Sequence, residues 1–321
     1  MRFILGLAAF LVVVVLGISY YCYRIAYYSP VGDQNDDYKE SRSSQMIPLR
    51  ETIVDMIGTL NAIPYEKVSI RSDDGLTLVG RYYHKADGAS LDLCVHGYRG
   101  TPARDFSGGT AIYLSEGHNL LMIEQRAHCT SEGHTITFGV KERYDVLAWV
   151  RYAVSRFGED TQIFLDGISM GAATVLMTAG LPELPGNVKA VIADCPFTSP
   201  EEIIRKVCAD RGFNVTITYP FLRLGAKIFG GFDPKAADAL EAARRIRVPV
   251  LLIHGEEDHF VPCDMGRRIA AANPEKIQLE TFPGAGHGLS YLIDKPRYTK
   301  LVMDFTARVL AGAESRRKSV I

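Results

Sequence analysis

The feature that most constrains this chain is a rhythm of short, mostly apolar runs alternating with segments of helical period. Leu91–His96, Asn119–Glu124, Gln162–Asp166, Val188–Asp194, Val248–His254 and Ile277–Phe282 read as strands buried on both faces, because a half-exposed strand would alternate apolar and polar residues. Lys67–Ser72 and Leu76–Tyr83 flank Asp73-Asp74-Gly75 and read as a hairpin ahead of them. The clearest helical stripe has Val146, Trp149, Val150, Ala153, Val154 and Phe157 on one face. Glu51–Ile63, Ala172–Ala179, Ala236–Arg244 and Tyr298–Leu310 are further helices. Such alternation requires an α/β architecture, a mostly parallel eight-stranded sheet with helices on both faces. Residues 197–233 break the rhythm with an extra helix (Pro200–Arg211) and the aromatics Tyr219, Phe221, Phe229 and Phe232, which reads as a small cap insertion over the sheet.

The N-terminus obeys a different pattern. Phe3 to Tyr23 is a run of 21 residues without charge, flanked by Arg2 and Arg24. As a helix it is about 31 Å long, against a hydrocarbon core of about 30 Å. Tyr20, Tyr21, Tyr23, Tyr27 and Tyr28 stand where an interfacial aromatic belt would be. The run is longer than the apolar region of a secretory signal, and no small-x-small cleavage site follows it, so an uncleaved transmembrane anchor over 1–28 is expected. Arg2 on one side, against Arg24 followed by Asp33, Asp36 and Asp37 on the other, places the bulk of the chain outside the cytoplasm. Residues 29–64 read as a polar linker and short helical lead-in, 65–311 as the α/β domain, and 312–321 as a charged tail.

Thirty-six Lys and Arg balance 37 Asp and Glu, so no basic stripe for nucleic acid is built. Six cysteines without a CxxC pair make neither a disulfide framework nor a zinc site. Asn214-Val215-Thr216 matches a glycosylation sequon, relevant only in a eukaryotic secretory pathway.

The chemistry gathers at strand ends. Gly167-Ile168-Ser169-Met170-Gly171 is a G-x-S-x-G turn between a strand and a helix, which exposes Ser169 above the sheet. His96-Gly97-Tyr98-Arg99-Gly100 follows another strand and offers the Tyr98 N–H, which with the Met170 N–H makes a two-donor oxyanion hole. A serine hydroxyl needs an imidazole to take its proton, and the imidazole needs a carboxylate to fix its tautomer. His287 in Gly286-His287-Gly288 and Asp258 in Glu256-Glu257-Asp258 supply them, and Ser169, Asp258, His287 is the chain order of α/β-hydrolases. Asp194 is the rival acid and His259 the rival base. A metal site at Glu256–His259 lacks a second ligand group at recognisable spacing, so neither metal nor organic cofactor is expected.

On these residues, together with the loop Glu124-Gln125-Arg126-Ala127-His128, the chain resembles an α/β-hydrolase of the serine-aminopeptidase-like group over about residues 65–311. It is similar to membrane-anchored prokaryotic hydrolases and to eukaryotic α/β-hydrolase-domain thioesterases. That family loop usually reads Asp-x-Arg-Gly-x-Gly-x-Ser, from which Glu124, Ala127 and Cys129 depart. The resemblance implies an α/β-hydrolase fold, with 197–233 as the cap that often follows the sixth strand. The residues lead to a serine hydrolase acting on a small-molecule acyl ester or thioester through an acyl-enzyme. The anchor and the aromatic insertion favour an apolar acyl group. The alternatives are a peptidase, for which Glu201-Glu202 is the candidate amine-binding pair, and a binding protein that keeps the fold without turnover.

Overall fold

The computed structural model describes residues 1–30, 37–38 and 45–318, and its eight strands form one sheet. They are β1 Glu66–Arg71, β2 Thr77–Tyr83, β3 Leu91–Val95, β4 Asn119–Glu124, β5 Ile163–Ile168, β6 Val188–Asp194, β7 Val250–Gly255 and β8 Ile277–Phe282, with no bound more than two residues from its expected place. The order is β1-β2-β4-β3-β5-β6-β7-β8. β2 runs antiparallel to β1 and β4, and the remaining pairs are parallel. This is the sheet that the α/β-hydrolase motifs imply.

Helices carry the chain between strands. α1 (Arg2–Ala26) and α2 (Arg50–Asn61) precede the sheet, and the short α3 (Pro102–Phe106) and α4 (Thr110–Ser115) join β3 to β4. α5 (Glu142–Phe157) and α6 (Met170–Ala179) flank β5. α7 (Pro200–Asp210), α8 (Val215–Phe229) and α9 (Ala239–Ala243) lie between β6 and β7. α10 (Cys263–Ala272), α11 (Ser290–Ile293) and α12 (Lys295–Lys318) complete the fold.

Successive strand residues point to opposite faces, and each face has its own core. On one face Leu93, Leu165 and Val191 pack with Trp149 of α5, Leu176 of α6 and Met265 of α10. On the other, Cys94, Phe164 and Ile192 pack with Phe106, Tyr113 and Val302, closed by Ile57 and Leu60 of α2. β3 to β7 are wholly buried apart from Lys189 and Ile168, which is why they read as continuous apolar runs.

The loop after β4 is pinned by Arg126, whose guanidinium bonds Asp145 at 2.6 Å and Asp74 at 2.8 Å. Ala127 (φ 59°) and Cys129 (φ 49°) occupy left-handed backbone at the two positions where the family loop has glycine. A Cβ there costs about 1–2 kcal/mol per residue, and the anchoring of Arg126 holds the turn in spite of it.

The insertion is placed differently from expectation. It does contain two helices, but α8 packs along the domain end of α1. Tyr20 and Tyr23 meet Phe229 at 5.1 and 6.1 Å, and Tyr27 meets Phe232 at 5.2 Å. A Cβ at Gly225 would stand 2.3 Å from the Ser19 carbonyl oxygen, so glycine is what lets the two backbones approach. Tyr23 and Tyr27 are therefore core residues and no part of an aromatic belt, whereas Tyr20 and Tyr21 are exposed. The surface that buries them is made by Thr135 and Phe138 as well as Phe229 and Phe232, residues far along the chain that local pattern does not report. Much of the expected linker (31–36 and 39–44) and the end of the tail (319–321) lie outside the described residues. The flanks of the linker are held, Ser29 N–H by the His134 carbonyl and Asp37 by Arg81.

Candidate active site

Three strand ends bring the expected residues together. Ser169 follows β5 with φ 56° and ψ −114°, a left-handed and strained conformation. The turn closes only because its neighbours lack side chains. A Cβ on Gly167 would lie 2.5 Å from the Gly171 backbone, and one on Gly171 would lie 1.8 Å from the Val95 carbonyl oxygen. The Ser169 N–H donates to the Asp194 carbonyl at 2.8 Å, which ties the turn to β6.

His287 stands 2.8 Å from Ser169 Oγ through Nε2, and 2.7 Å from Asp258 Oδ2 through Nδ1. An ionised carboxylate only accepts, so Nδ1 carries the proton and Nε2 is left to accept from the serine hydroxyl. Asp258 Oδ1 accepts the Phe260 and Val261 N–H groups at 2.9 and 2.8 Å. Burial works against this carboxylate. Even so, its hydrogen bonds with His254, His287 and the backbone hold its pKa well below the ordinary carboxylate range. Asp194, the rival acid, does not pair with His287, and burial pushes its carboxyl up to about 6. The rival base His259 lies on the rim of the site, its carbonyl engaged by Lys206.

Asp194 carries a pH signature. Its folded pKa lies above the ordinary value near 4, so its contribution to stability is whole below that value and is lost as pH rises through about 6. Asp194→Asn should therefore raise stability at pH 7 by on the order of 1 kcal/mol. The gain, read as a Tm difference, should shrink as the pH falls from 6 toward 4. A gain independent of pH would disprove this account.

The expected oxyanion donors are available. Among the described residues, neither the Tyr98 nor the Met170 N–H has a hydrogen-bond acceptor. The loop that carries Tyr98 is held on every side. Gly97 N–H donates to Asp105 Oδ2 at 2.7 Å and Arg99 N–H to His128 Nε2 at 3.0 Å. His96 Nδ1 donates to the Gly97 carbonyl at 2.8 Å while Nε2 accepts from Gln125 N–H. Burial lowers the His96 pKa to about 4 and that of His128 below its ordinary value, so both rings are neutral supports.

The same loop grips the end of α1. Tyr98 OH donates to the Ala26 carbonyl at 2.9 Å, and Arg99 Nη2 to the Tyr28 carbonyl at 2.9 Å. Arg99 Nε reaches Tyr98 OH at 2.9 Å, from a backbone with φ 51°. Sequence reasoning named His128 only within the family loop and did not find Asp105 or this grip. Only the helix start at Asp105 leaves a local sign, with Thr101 as N-cap and Pro102 at the first position.

A cavity of about 1390 Å³ opens onto Ser169 and His287. Its apolar wall includes Ile53 and Ile57 of α2, Phe106, Tyr113, Tyr291 and Leu292. The carboxyls of the buried Asp166 and Asp194 lie at residues lining its sheet side. Among the described residues none of 197–233 lines the cavity, so the aromatic insertion, taken to favour an apolar acyl group, does not reach it, and its apolar wall comes from α2, α3, α4 and α11. Glu201 and Glu202 are absent from it too. Glu201 pairs with Arg205 and Lys235, and Glu202 with Arg268.

For a metal ion, Cys195, Asp258 and His287 present ligand atoms within 4.8 Å of one another. Two of those atoms are already joined by the His287–Asp258 hydrogen bond, and burial raises the pKa of the Cys195 thiol, so a metal would have to displace the His287 Nδ1 proton and the thiol proton.

Known proteins resemble this chain in sequence and in fold. The profile of the prolyl oligopeptidase family matches residues 135–313. YqkD of Bacillus subtilis is 28% identical over 195 residues, covering 60% of this chain and 64% of that protein. Lysophosphatidylserine lipase ABHD12 of Mus musculus is 25% identical over 243 residues, covering 70% of this chain and 57% of the lipase. The chain thus spans less than two thirds of the length of either relative. The esterase Pf2001 of Pyrococcus furiosus has the same fold, with a TM-score of 0.64 at 22% identity over 78% of this chain and 93% of its own.

Proposed function

The chain belongs to the prolyl oligopeptidase family and is a hydrolase of the α/β-hydrolase, esterase-like kind, and we propose that it cleaves an acyl ester or thioester with Ser169 as nucleophile. The observation that carries this reading is the hydrogen-bonded series from Ser169 Oγ through His287 to Asp258, opening onto a large cavity with an apolar wall. Ser169 attacks the acyl carbonyl as His287 Nε2 takes its proton, and Asp258 stabilises the imidazolium that forms. The Tyr98 and Met170 N–H groups receive the oxyanion, and His287 passes its proton to the leaving group. Water, activated by the same imidazole, then hydrolyses the acyl-enzyme. No step calls on a metal or an organic cofactor.

Within this reading residues 1–28 form a single-pass membrane anchor with the catalytic domain on the extracytoplasmic side, 65–311 form the hydrolase domain, and 197–233 form its insertion. An apolar acyl group suits the α2 and α11 side chains, and a relative named for hydrolysing a lysophospholipid supports an acyl ester. The family's name points instead to peptides. Against that, the acidic pair that would bind a peptide amine is paired elsewhere and lies off the cavity.

The test uses the full chain in detergent micelles with a series of nitrophenyl esters. Burying two more methylenes is worth about 1.6 kcal/mol, or roughly tenfold, so kcat/KM should climb by about that factor from butyrate to hexanoate until the cavity is filled. Highest turnover on acetate or on aminoacyl amides would sink the proposal.

A further inference from the structure

We infer that α8 seats the domain on the lipid bilayer, with the stripe Ile217, Phe221, Leu224 and Ile228 lying in the interfacial layer. The inference rests on the reading of α1 as a membrane-spanning helix and is independent of the catalytic assignment.

The first observation is a shortage of free helix. Every side chain from Met1 to Val15 is exposed, and the domain first buries α1 completely at Ser19. Arg2 to Ile18 therefore makes up the unencumbered part, about 24 Å of axis at about 1.5 Å per residue. A hydrocarbon core of about 30 Å needs roughly four more residues, which places the far boundary near Cys22. The segment Ser19–Tyr23 at that depth is the one α8 covers, through Gly225 against Ser19 and Phe229 against Tyr20 and Tyr23. If α1 spans, whatever packs on it there sits at the membrane surface with it.

The second observation is that α8 has two apolar faces, one buried and the other half-buried at Phe221 and Leu224 and exposed at Ile217 and Ile228. Tyr219, Leu222, Gly225 and Ala226 are buried. Ile217, Phe221, Leu224 and Ile228 recur at i, i+4, i+7 and i+11 and share another face, on which Ile217 is 62% and Ile228 51% exposed. Phe229 at the end of α8 and Phe213 just ahead of it are exposed as well. The exposed Phe229, next to Ile228, meets the exposed Tyr20 of α1 at 5.1 Å, so this end of the strip lies where the length of α1 brings the bilayer edge. A lipid surface is the occupant that matches both facts.

The native chain contains one tryptophan, Trp149, fully buried in the core, which serves as an internal reference. Full-length protein carrying V13W, I217W or I228W is reconstituted into phosphatidylcholine vesicles with brominated or ordinary acyl chains. Bromine quenches an indole only on contact. V13W, I217W and I228W should each lose most of their added emission in the brominated vesicles, while protein with Trp149 alone should be unaffected. Quenching of V13W without quenching of I217W and I228W would overturn the seat and leave the anchor intact. Blue-shifted but unquenched emission from I228W would overturn it in favour of cover by a second protein copy. An unquenched V13W would remove the anchor and this inference together.

Discussion

Ser169→Ala is expected to lower kcat on the best acyl ester by about 10⁴- to 10⁶-fold, with little change in Tm. The proposed nucleophile is the hydroxyl that stands 2.8 Å from His287 Nε2. Alanine keeps the Cβ and the backbone strain at φ 56°, so the turn is unaltered and the loss is chemical. The remaining rate would come from the Tyr98 and Met170 N–H groups and from binding alone. Intact mass after exposure to a fluorophosphonate gives the second readout. The native chain should gain one adduct and Ser169→Ala none. An adduct that persists in the variant would place the nucleophile elsewhere and end the proposal.

Arg99→Ala is expected to lower kcat by about 10²-fold with KM nearly constant, because a donor displaced by about 1 Å forfeits an interaction made mainly in the transition state. Arg99 bonds the Tyr28 carbonyl and the Tyr98 hydroxyl, and Tyr98 in turn bonds the Ala26 carbonyl. The end of α1 thus holds the loop whose N–H is the proposed oxyanion donor. Arg99→Lys, which restores one donor, should recover part of the loss. Tyr20→Ala loosens α1 on α8 without touching the loop, so it should lower Tm and leave kcat unchanged. Equal kcat losses in Arg99→Ala and Tyr20→Ala would show that the effect is general destabilisation. It also follows that a chain cut at Arg50 would lack the Ala26 and Tyr28 carbonyls that Tyr98 and Arg99 bond and should turn over more slowly than the full chain.

Much of the site is legible before any coordinates. A parallel strand covered on both faces must be apolar throughout, so β3 to β7 announce themselves in five to seven consecutive residues. The G-x-S-x-G turn is readable because only glycine tolerates the 1.8 Å approach at Gly171, and the order Ser169, Asp258, His287 leaves few ways to assemble a relay at one end of a sheet. Short helices fare worse. α3 and α4 have five and six residues, too few to display a period, and α10 buries a single face made of Cys263, Met265, Gly266 and Ile269 within ten residues.

The sequence by itself determined the strands, their alternation with helices, the residues of the candidate relay and the uncharged N-terminal run. These are local properties, written in period, turn chemistry and side-chain type. Tertiary structure decided which surfaces meet. It put α2 on the cavity wall instead of the 197–233 insertion, turned Tyr23 and Tyr27 from belt into core, and bound the Tyr98–Arg99 loop to the end of α1. It also made Ala127 and Cys129 adopt the left-handed backbone that glycine takes at less cost. Each of these depends on apolar faces competing for burial against distant partners, and a face carries no label in the sequence to say which partner will cover it.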